Sequence, residues 1–195
     1  NGSIVFPGAG FVEMVLSAAT ASEGEKIIIN DFSFEKALLL KQEVTKLQTV
    51  RSGNTVSIYS TNQSNDASVN WIRNASGVIS PPAPEANTSL KTFDQSGISH
   101  RCLYAASSDQ VYDAYSSLGF NYTGDFRGIQ TLKYNAEEAL SLIVLPTNDA
   151  LAYVLYPPLL DNAFQTLLSI IVCNNADTVS DRVFLPTDIS QLTLL

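Results

Sequence analysis

The chain has 195 residues, 45% hydrophobic and 15% charged, proportions that fit one globular unit of ordinary domain size or two small ones sharing a core. Its formal charge of −8, from 11 Lys and Arg against 19 Asp and Glu, argues against a nucleic-acid or acidic-membrane partner, which needs a basic face. The two cysteines, Cys102 and Cys173, form no C-x-x-C pair and no cluster with histidine, so neither a metal site nor a disulfide framework is in view.

In chain order, the first element is "FPGAGFVEMVLSAATA". Pro7 to Gly10 make a turn, and Phe11, Val12, Val15, Leu16 and Ala19 then recur at helical spacing. Strand-like runs follow in "KIIINDFSF", "EVTKLQTVRS", "TVSIYS" and "SVNWIRNASGVI", and their aromatic residues Phe32, Phe34, Tyr59 and Trp71 read as core and sheet residues. "SPPAPEANTS", Ser80 to Ser89, has three prolines and no aromatic residue and reads as a linker. The pattern then returns: a helical "SDQVYDAYSSLG", strands "IQTLKY", "ALSLIVL" and "LAYVLY", a long helix from near Pro158, and strands "RVFLP" and "QLTLL". In the long helix, Leu160, Phe164, Leu167, Leu168 and Ile171 supply an apolar face suited to a sheet. Two sheets, each holding a helix, make an α+β architecture. The sequence shows no secretory apolar segment and no apolar run of membrane-spanning length, while the N-x-S/T triplets at Asn62, Asn74, Asn87 and Asn121 are what an Asn-, Ser- and Thr-rich chain produces by chance. A cytoplasmic location is expected.

The stretch "YPPLLDNAFQTLL", Tyr156 to Leu168, sets one carboxylate, Asp161, in a run otherwise almost wholly apolar or amide. A buried ionised carboxylate costs several kcal/mol unless it is paired, so such a residue finds a partner or keeps its proton. Kept protonated near neutral pH, it is a proton donor. Leu159, Leu160, Ala163 and Phe164 disfavour its charged form, and Gln165 stands one helical turn later on the same face. Plainer readings stand beside these. Asp161 fits a helix N-cap after Pro157 and Pro158, and Gln165 fits the satisfaction of buried backbone. Tyr122 fits a core tyrosine with its hydroxyl bonded. His100, the only histidine, lies near the linker in "ISHRCLY".

Four strings, in order across nearly the whole chain, resemble motifs of the dehydratase domain of polyketide synthases and animal-type fatty acid synthases. "GSIVFP" supplies Gly2 and Pro7 of the family's H-x-x-x-G-x-x-x-x-P, followed by the family-like "GAGFVEM"; the motif His would lie four residues before Gly2. "GFNYTGDF" is similar to G-Y-x-Y-G-P-x-F, with Gly119, Phe120, Tyr122 and Phe126 in register and Thr123-Gly124 where Gly-Pro is commoner. "LPTDISQL", Leu185 to Leu192, resembles L-P-x-x-x-x-x-L, and Asp161 with Gln165 meets D-x-x-x-Q/H, with Tyr156 where the family has His.

The resemblance implies a double hotdog, two units each made of a sheet curled around a central helix: a first unit over 1–80, a linker over 81–98, and a second unit over 99–195 that lacks its end, since family members usually continue beyond "QLTLL". It also implies water removal from a β-hydroxyacyl thioester, with the motif His as base and Asp161 as acid, in an active site shared between the halves. Gln165 would orient the carboxyl group or hold the hydroxyl. Pro7, Gly8, Gly10, Tyr122, Gly124, Phe126, Leu185 and Pro186 would contact substrate, the backbone N–H groups of Gly8 to Gly10 meeting the thioester carbonyl. No metal or organic cofactor is implied; the acyl chain rides on the phosphopantetheine arm of an acyl carrier protein. The implied partners are that carrier protein, neighbouring synthase domains and a second copy in a homodimer, with no nucleic acid and no membrane. Two alternatives remain: a relative that shifts double bonds or closes an oxygen ring, and a catalytically silent structural domain. An Asn at position 161 would favour a shift, and the residue is Asp.

Overall fold

The computed structural model describes residues 3–23, 26–41, 44–62, 70–80, 93–145, 149–174 and 185–194. The chain divides into two compact units: Asn1–Ala86 with Tyr153–Pro157 and Pro186–Leu195, and Asn87–Ala152 with Pro158–Leu185.

In the first unit, β1 (Ile4–Val5) leads through Pro7 into α1 (Gly8–Glu23), followed by β2 (Ile27–Phe34), β3 (Leu39–Leu40), β4 (Lys46–Ser52), β5 (Thr55–Thr61) and β6 (Ile72–Ser80). β1 pairs with β3, and an antiparallel five-stranded sheet is completed by a strand from the far end of the chain, Asp188–Leu194, in the order last strand, β2, β6, β5, β4. α1 lies against β2 and β4. Its residues Phe11, Val12, Val15, Leu16 and Ala19 are buried, as their spacing predicts, and meet a sheet face carrying Ile27, Ile29, Phe32, Val56, Ile58, Ala75 and Ile79. Each such aliphatic side chain contributes about 1.5–3 kcal/mol on leaving water.

The step from Ile29 to Phe32 breaks the two-residue alternation. A bulge absorbs it: Asn30 pairs with Val78 but Ser33 with Ser76, and Asp31 sits between them at φ 49°. Trp71 is 37% exposed and so is not the core residue expected, whereas Phe32 is buried and meets Phe34 edge to face.

In the second unit, α2 (Gln95–Arg101) is followed by β7 (Tyr104–Ser107), α3 (Ser108–Ser117), β8 (Ile129–Tyr134), β9 (Ala139–Ile143) and α4 (Pro157–Asn174). β7, β8 and β9 form an antiparallel sheet against which α3 packs. Ser107 and Gln110 close a capping box that fixes the start of α3. Val111, Tyr112 and Tyr115 from α3 and Ile129 and Leu132 from β8 make the core, with Phe120, Tyr122 and Leu168 against it. Among the described residues no helix is long and apolar enough to cross a membrane.

The structure corrects several expectations. "QLTLL" belongs to the strand β10 (Asp188–Leu194), which hydrogen-bonds β2 of the first unit, so the second unit does not run from 99 to the chain's end. Gln95–Arg101, which overlaps the expected 81–98 linker, is helical, started by the Asp94 side chain on the Gly97 N–H; 81–92 lie outside the described residues. "LAYVLY" forms no strand but a short 3₁₀ turn, Asp149–Ala152, followed by bends. The reason is a competing acceptor: the N–H groups of Val154 and Leu155 go to the Glu13 carboxylate at 3.0 and 2.7 Å instead of to a neighbouring strand. Of "RVFLP", only Leu185 and Pro186 are described, without strand structure.

Candidate active site

α4 begins at Pro157, so Asp161 stands a full turn inside the helix and is not its N-cap. The expected apolar face is also displaced. Leu167 is 65% exposed, while the most deeply buried side chains along the helix include Asn162, Gln165 and Ser169. A polar stripe at i, i+3 and i+7 faces the rest of the unit, where burial demands partners.

Ser169 finds its partner on its own helix, while Asn162 and Gln165 reach the backbone of one short segment. Gly124–Phe126 form a 3₁₀ turn that Gly124 enters at φ 58°, a left-handed conformation natural to glycine. The Gln165 Nε2 donates to the Phe126 carbonyl at 2.9 Å and to the Asp161 Oδ2 at 2.8 Å. Asn162 Nδ2 donates to the Asp125 carbonyl at 2.8 Å and its Oδ1 accepts from the Gly128 N–H at 2.8 Å. The Gln165 carbonyl accepts from the Tyr115 hydroxyl at 2.5 Å and from the Ser169 hydroxyl at 2.8 Å. Gln165 thus does both things open to it from the sequence: it satisfies buried backbone and it holds the carboxyl group.

Asp161 is half-buried, and burial pushes its carboxyl above the usual carboxylate range; the hydrogen bond from Gln165 opposes that shift. The cover differs from the one expected. Leu159 and Ala163 are exposed, and the groups that sense the Asp161 charge are Tyr122 and Tyr112, from the turn and α3. Burial first, then the Asp161 charge, holds the Tyr122 hydroxyl well above the tyrosine range. Its ring stacks on Phe120 and meets Tyr115 edge to face, so it is packed into the core while its hydroxyl senses the charge of the acid. The site therefore offers a carboxyl group that holds its proton more tightly than an ordinary carboxylate does, bonded by one amide, near a neutral phenol.

Of the remaining expected site residues, Pro7, Gly8, Gly10 and Pro186 lie in the first unit. The glycines there answer to packing: a Cβ at Gly10 would come within 2.7 Å of the Phe6 ring, and one at Gly8 within 3.0 Å of Phe34. The Gly10 N–H donates to the Pro7 carbonyl at 2.9 Å and is used within the turn. Leu185 is 56% exposed and Pro186 half-buried, in the segment leading to β10. His100 is exposed on α2, its Nδ1 2.7 Å from the Ser96 carbonyl. Asn74, in an N-x-S triplet, is 1% exposed with its Nδ2 donating to the Lys36 carbonyl, so in the folded chain it is no glycosylation acceptor.

Two functional-looking residues escape a reading of the sequence by motif. Glu13, alone in the apolar "FVEMVL", carries the same signature that singles out Asp161, but here the carboxylate is partnered, by two backbone N–H groups and by the Ser17 hydroxyl at 2.8 Å. Asn162 was signalled only by its spacing to Gln165 and Ser169.

Two sheet-and-helix units, with an acid and an amide one turn apart on the second unit's long helix, define a double hotdog fold of the α+β class. The model for the polyketide synthase dehydratase N-terminal domain matches residues 90–195, and that for the polyketide synthase dehydratase domain matches residues 1–61. The chain belongs to the polyketide synthase dehydratase domain family. It is similar to the dehydratase domain from the CurK module of curacin polyketide synthase (28% identity, TM-score 0.83, covering 98% of this chain and 69% of that one). It is also similar to that from the CurF module (26%, TM-score 0.80, 97% and 68%). Among curated relatives, a polyketide synthase-nonribosomal peptide synthetase of Aspergillus clavatus is 28% identical over 212 residues, covering 100% of this chain. The polyketide synthase component of the compactin nonaketide synthase of Penicillium citrinum is 27% identical over 218 residues, again covering 100% of this chain. The chain spans only 5% and 7% of these two relatives, which are far longer synthases.

Proposed function

We propose that this chain dehydrates a β-hydroxyacyl thioester carried by an acyl carrier protein to the α,β-enoyl thioester during polyketide chain extension. The observation that carries the reading is Asp161, a half-buried carboxyl group pushed toward its protonated form and held by Gln165 at 2.8 Å. In this reading a His at the place the family's first motif assigns, four residues before Gly2, would take the α-proton; the electrons of that C–H bond form the Cα=Cβ bond, the Cβ–O bond breaks, and the departing hydroxyl leaves as water with the proton of Asp161. Gln165 occupies Oδ2 as a donor, which leaves Oδ1 as the oxygen that carries the proton. Tyr122 shields the acid from water, and with Gly124 and Phe126 it lines the path of the acyl chain. The acyl carrier protein and neighbouring synthase domains are the partners of this reading, a homodimer its assembly and the cytoplasm its place. The length of the curated relatives supports neighbouring domains.

The test uses the full-length protein and a β-hydroxyacyl thioester on its carrier protein, followed by mass spectrometry for loss of water. Formation of the enoyl thioester, slowed by roughly 10²–10⁴-fold in Asp161→Asn, is expected. A shifted double bond or an oxygen ring in the product would move the activity to the corresponding relative, and an unaltered substrate would leave a structural domain.

A further inference from the structure

Asn162 is fully buried, at 0% exposure, directly after the acid. Its Oδ1 accepts from the Gly128 N–H at 2.8 Å and from the Tyr112 hydroxyl at 3.1 Å. Its Nδ2 donates to the carbonyls of Asp125 at 2.8 Å and Pro158 at 2.7 Å. An asparagine amide has two donor protons and two acceptor lone pairs, and here every one is used. The Tyr112 hydroxyl in turn accepts from the Ile129 N–H at 2.9 Å, so Asn162 reaches α3, the turn and the start of β8 through one side chain. Gly128 is shaped to this contact: a Cβ there would lie 3.1 Å from both terminal atoms of the Asn162 amide and 2.9 Å from Leu145.

We propose that Asn162 is a positioning residue for the acid: it clamps the segment from Tyr122 to Gly128, and the Tyr112 ring, onto α4, and so keeps the Asp161 carboxyl covered and aligned. The division of labour with Gln165 follows from what each touches. Gln165 holds the carboxyl and one carbonyl of the segment; Asn162 touches no reacting group and holds the segment on both sides of that carbonyl. The identity of the residue matters as much as its size. An aspartate of the same shape would present an oxygen to the carbonyls of Asp125 and Pro158, where Nδ2 now donates, and would set a second acid beside the first.

The kinetic part of this inference rests on the dehydratase reading; the geometric part does not. The titratable groups that sense the Asp161 charge are Tyr122, just before the turn, and Tyr112 from α3, and Gln165 from its own helix donates to the carboxyl. Beyond them, the Arg127 guanidinium lies 4.8 Å over the Tyr112 ring and pairs with Asp109 at 3.0 Å. Releasing the clamp admits water to the carboxyl and lowers its pKa, because desolvation is the main cause of its elevation.

The experiment compares full-length wild type, Asn162→Ala and Ser169→Ala. The control removes a hydroxyl from the same buried stripe that donates only to α4's own Gln165 carbonyl. The Asp161 carboxyl is followed by ¹³C NMR against pH, its signal assigned by its loss in Asp161→Asn, alongside kcat and KM across the same range. In Asn162→Ala the Asp161 midpoint and the alkaline limb of the rate profile are both expected at lower pH than in wild type. The kcat should fall roughly 100-fold while KM changes much less, as for a misplaced acid. Ser169→Ala should leave both midpoints where they are. An unmoved Asp161 midpoint in folded Asn162→Ala, or an equal movement in the control, would overturn the proposal. Should Asn162→Ala not fold, Asn162→Ser, whose hydroxyl is too short to bridge Asp125 and Gly128, is judged by the same criteria. A wild type without dehydratase activity would end the dehydratase reading alone, since the NMR titration decides the clamp on its own.

Discussion

Asp161→Asn removes a proton and a charge while keeping the shape of the side chain and an oxygen for the Gln165 contact at 2.8 Å. Its effect on stability therefore reports the protonation state of the acid directly. In the unfolded chain this carboxyl titrates near the ordinary aspartate value, about 3.9. In the folded chain burial raises it. The folded state thus holds the proton more tightly, and the stability that goes with protonation is fully present below the unfolded value and is lost as pH rises through the folded one. Each unit of elevation costs about 1.4 kcal/mol once the group is ionised. Asparagine carries no such cost. The variant should therefore match wild type in the acid range and become the more stable protein as pH rises to about 8, while its turnover falls by roughly 10²–10⁴-fold. Urea unfolding midpoints for both proteins, taken at a series of pH values with the slopes compared, measure the gap. A gap that stays constant with pH would mean that folding leaves the Asp161 pKa unchanged, and a variant less stable than wild type in the alkaline range would mean that Asp161 folds as a paired anion. The proton-donor role would then be lost.

Gly128→Ala should lower stability by about 1–3 kcal/mol, because its Cβ meets Leu145 at 2.9 Å and the saturated Asn162 amide; thermal unfolding reads this. Glu13→Leu should cost at least about 1–3 kcal/mol by leaving the Val154 and Leu155 N–H groups without their acceptor, and hydrogen exchange at those two amides should accelerate. Leu167→Ser, at a position that is 65% exposed, should change stability by less than about 0.5 kcal/mol, an outcome that a core role for Leu167 would contradict. The Cys102 thiol is buried and raised by that burial, so alkylation at neutral pH, located by peptide mass mapping, should require unfolding.

The sequence is legible where a residue's partner is set by periodicity. α1 and α3 show the three-to-four-residue apolar spacing, and β2, β5 and β6 form strands where their apolar runs stand. It is silent where side chains replace backbone partners. "LAYVLY" alternates like a strand, yet its N–H groups end on Glu13, a residue 141 positions earlier for Val154. α4 looks apolar on one side because its leucines are obvious, yet its most deeply buried side chains include amides and a hydroxyl, Asn162 and Gln165 bonding the turn that follows Tyr122 and Ser169 bonding its own helix. Asp161 was visible as an anomaly and Gln165 as its neighbour. That the charge on the acid is felt by Tyr112 from α3 and by Tyr122, while the adjacent Leu159 and Ala163 are exposed, depends on packing between distant residues that no local pattern encodes.

The placement of β10 has a consequence for how this chain is made. The hydrogen bond from Gln191 to Asn30 joins residues 161 apart, and the whole second unit is encoded between the strands that it links. A chain emerging from the ribosome presents β2 long before β10, with Ile27, Ile29 and Phe32 in place and one row of backbone donors and acceptors unanswered. Loop closure over so long a span is slow, and an open strand edge recruits other chains while it waits. Truncations that stop before Asp188 should consequently aggregate through β2, and an expression strategy for this region should carry the chain through Leu194 before anything else is varied.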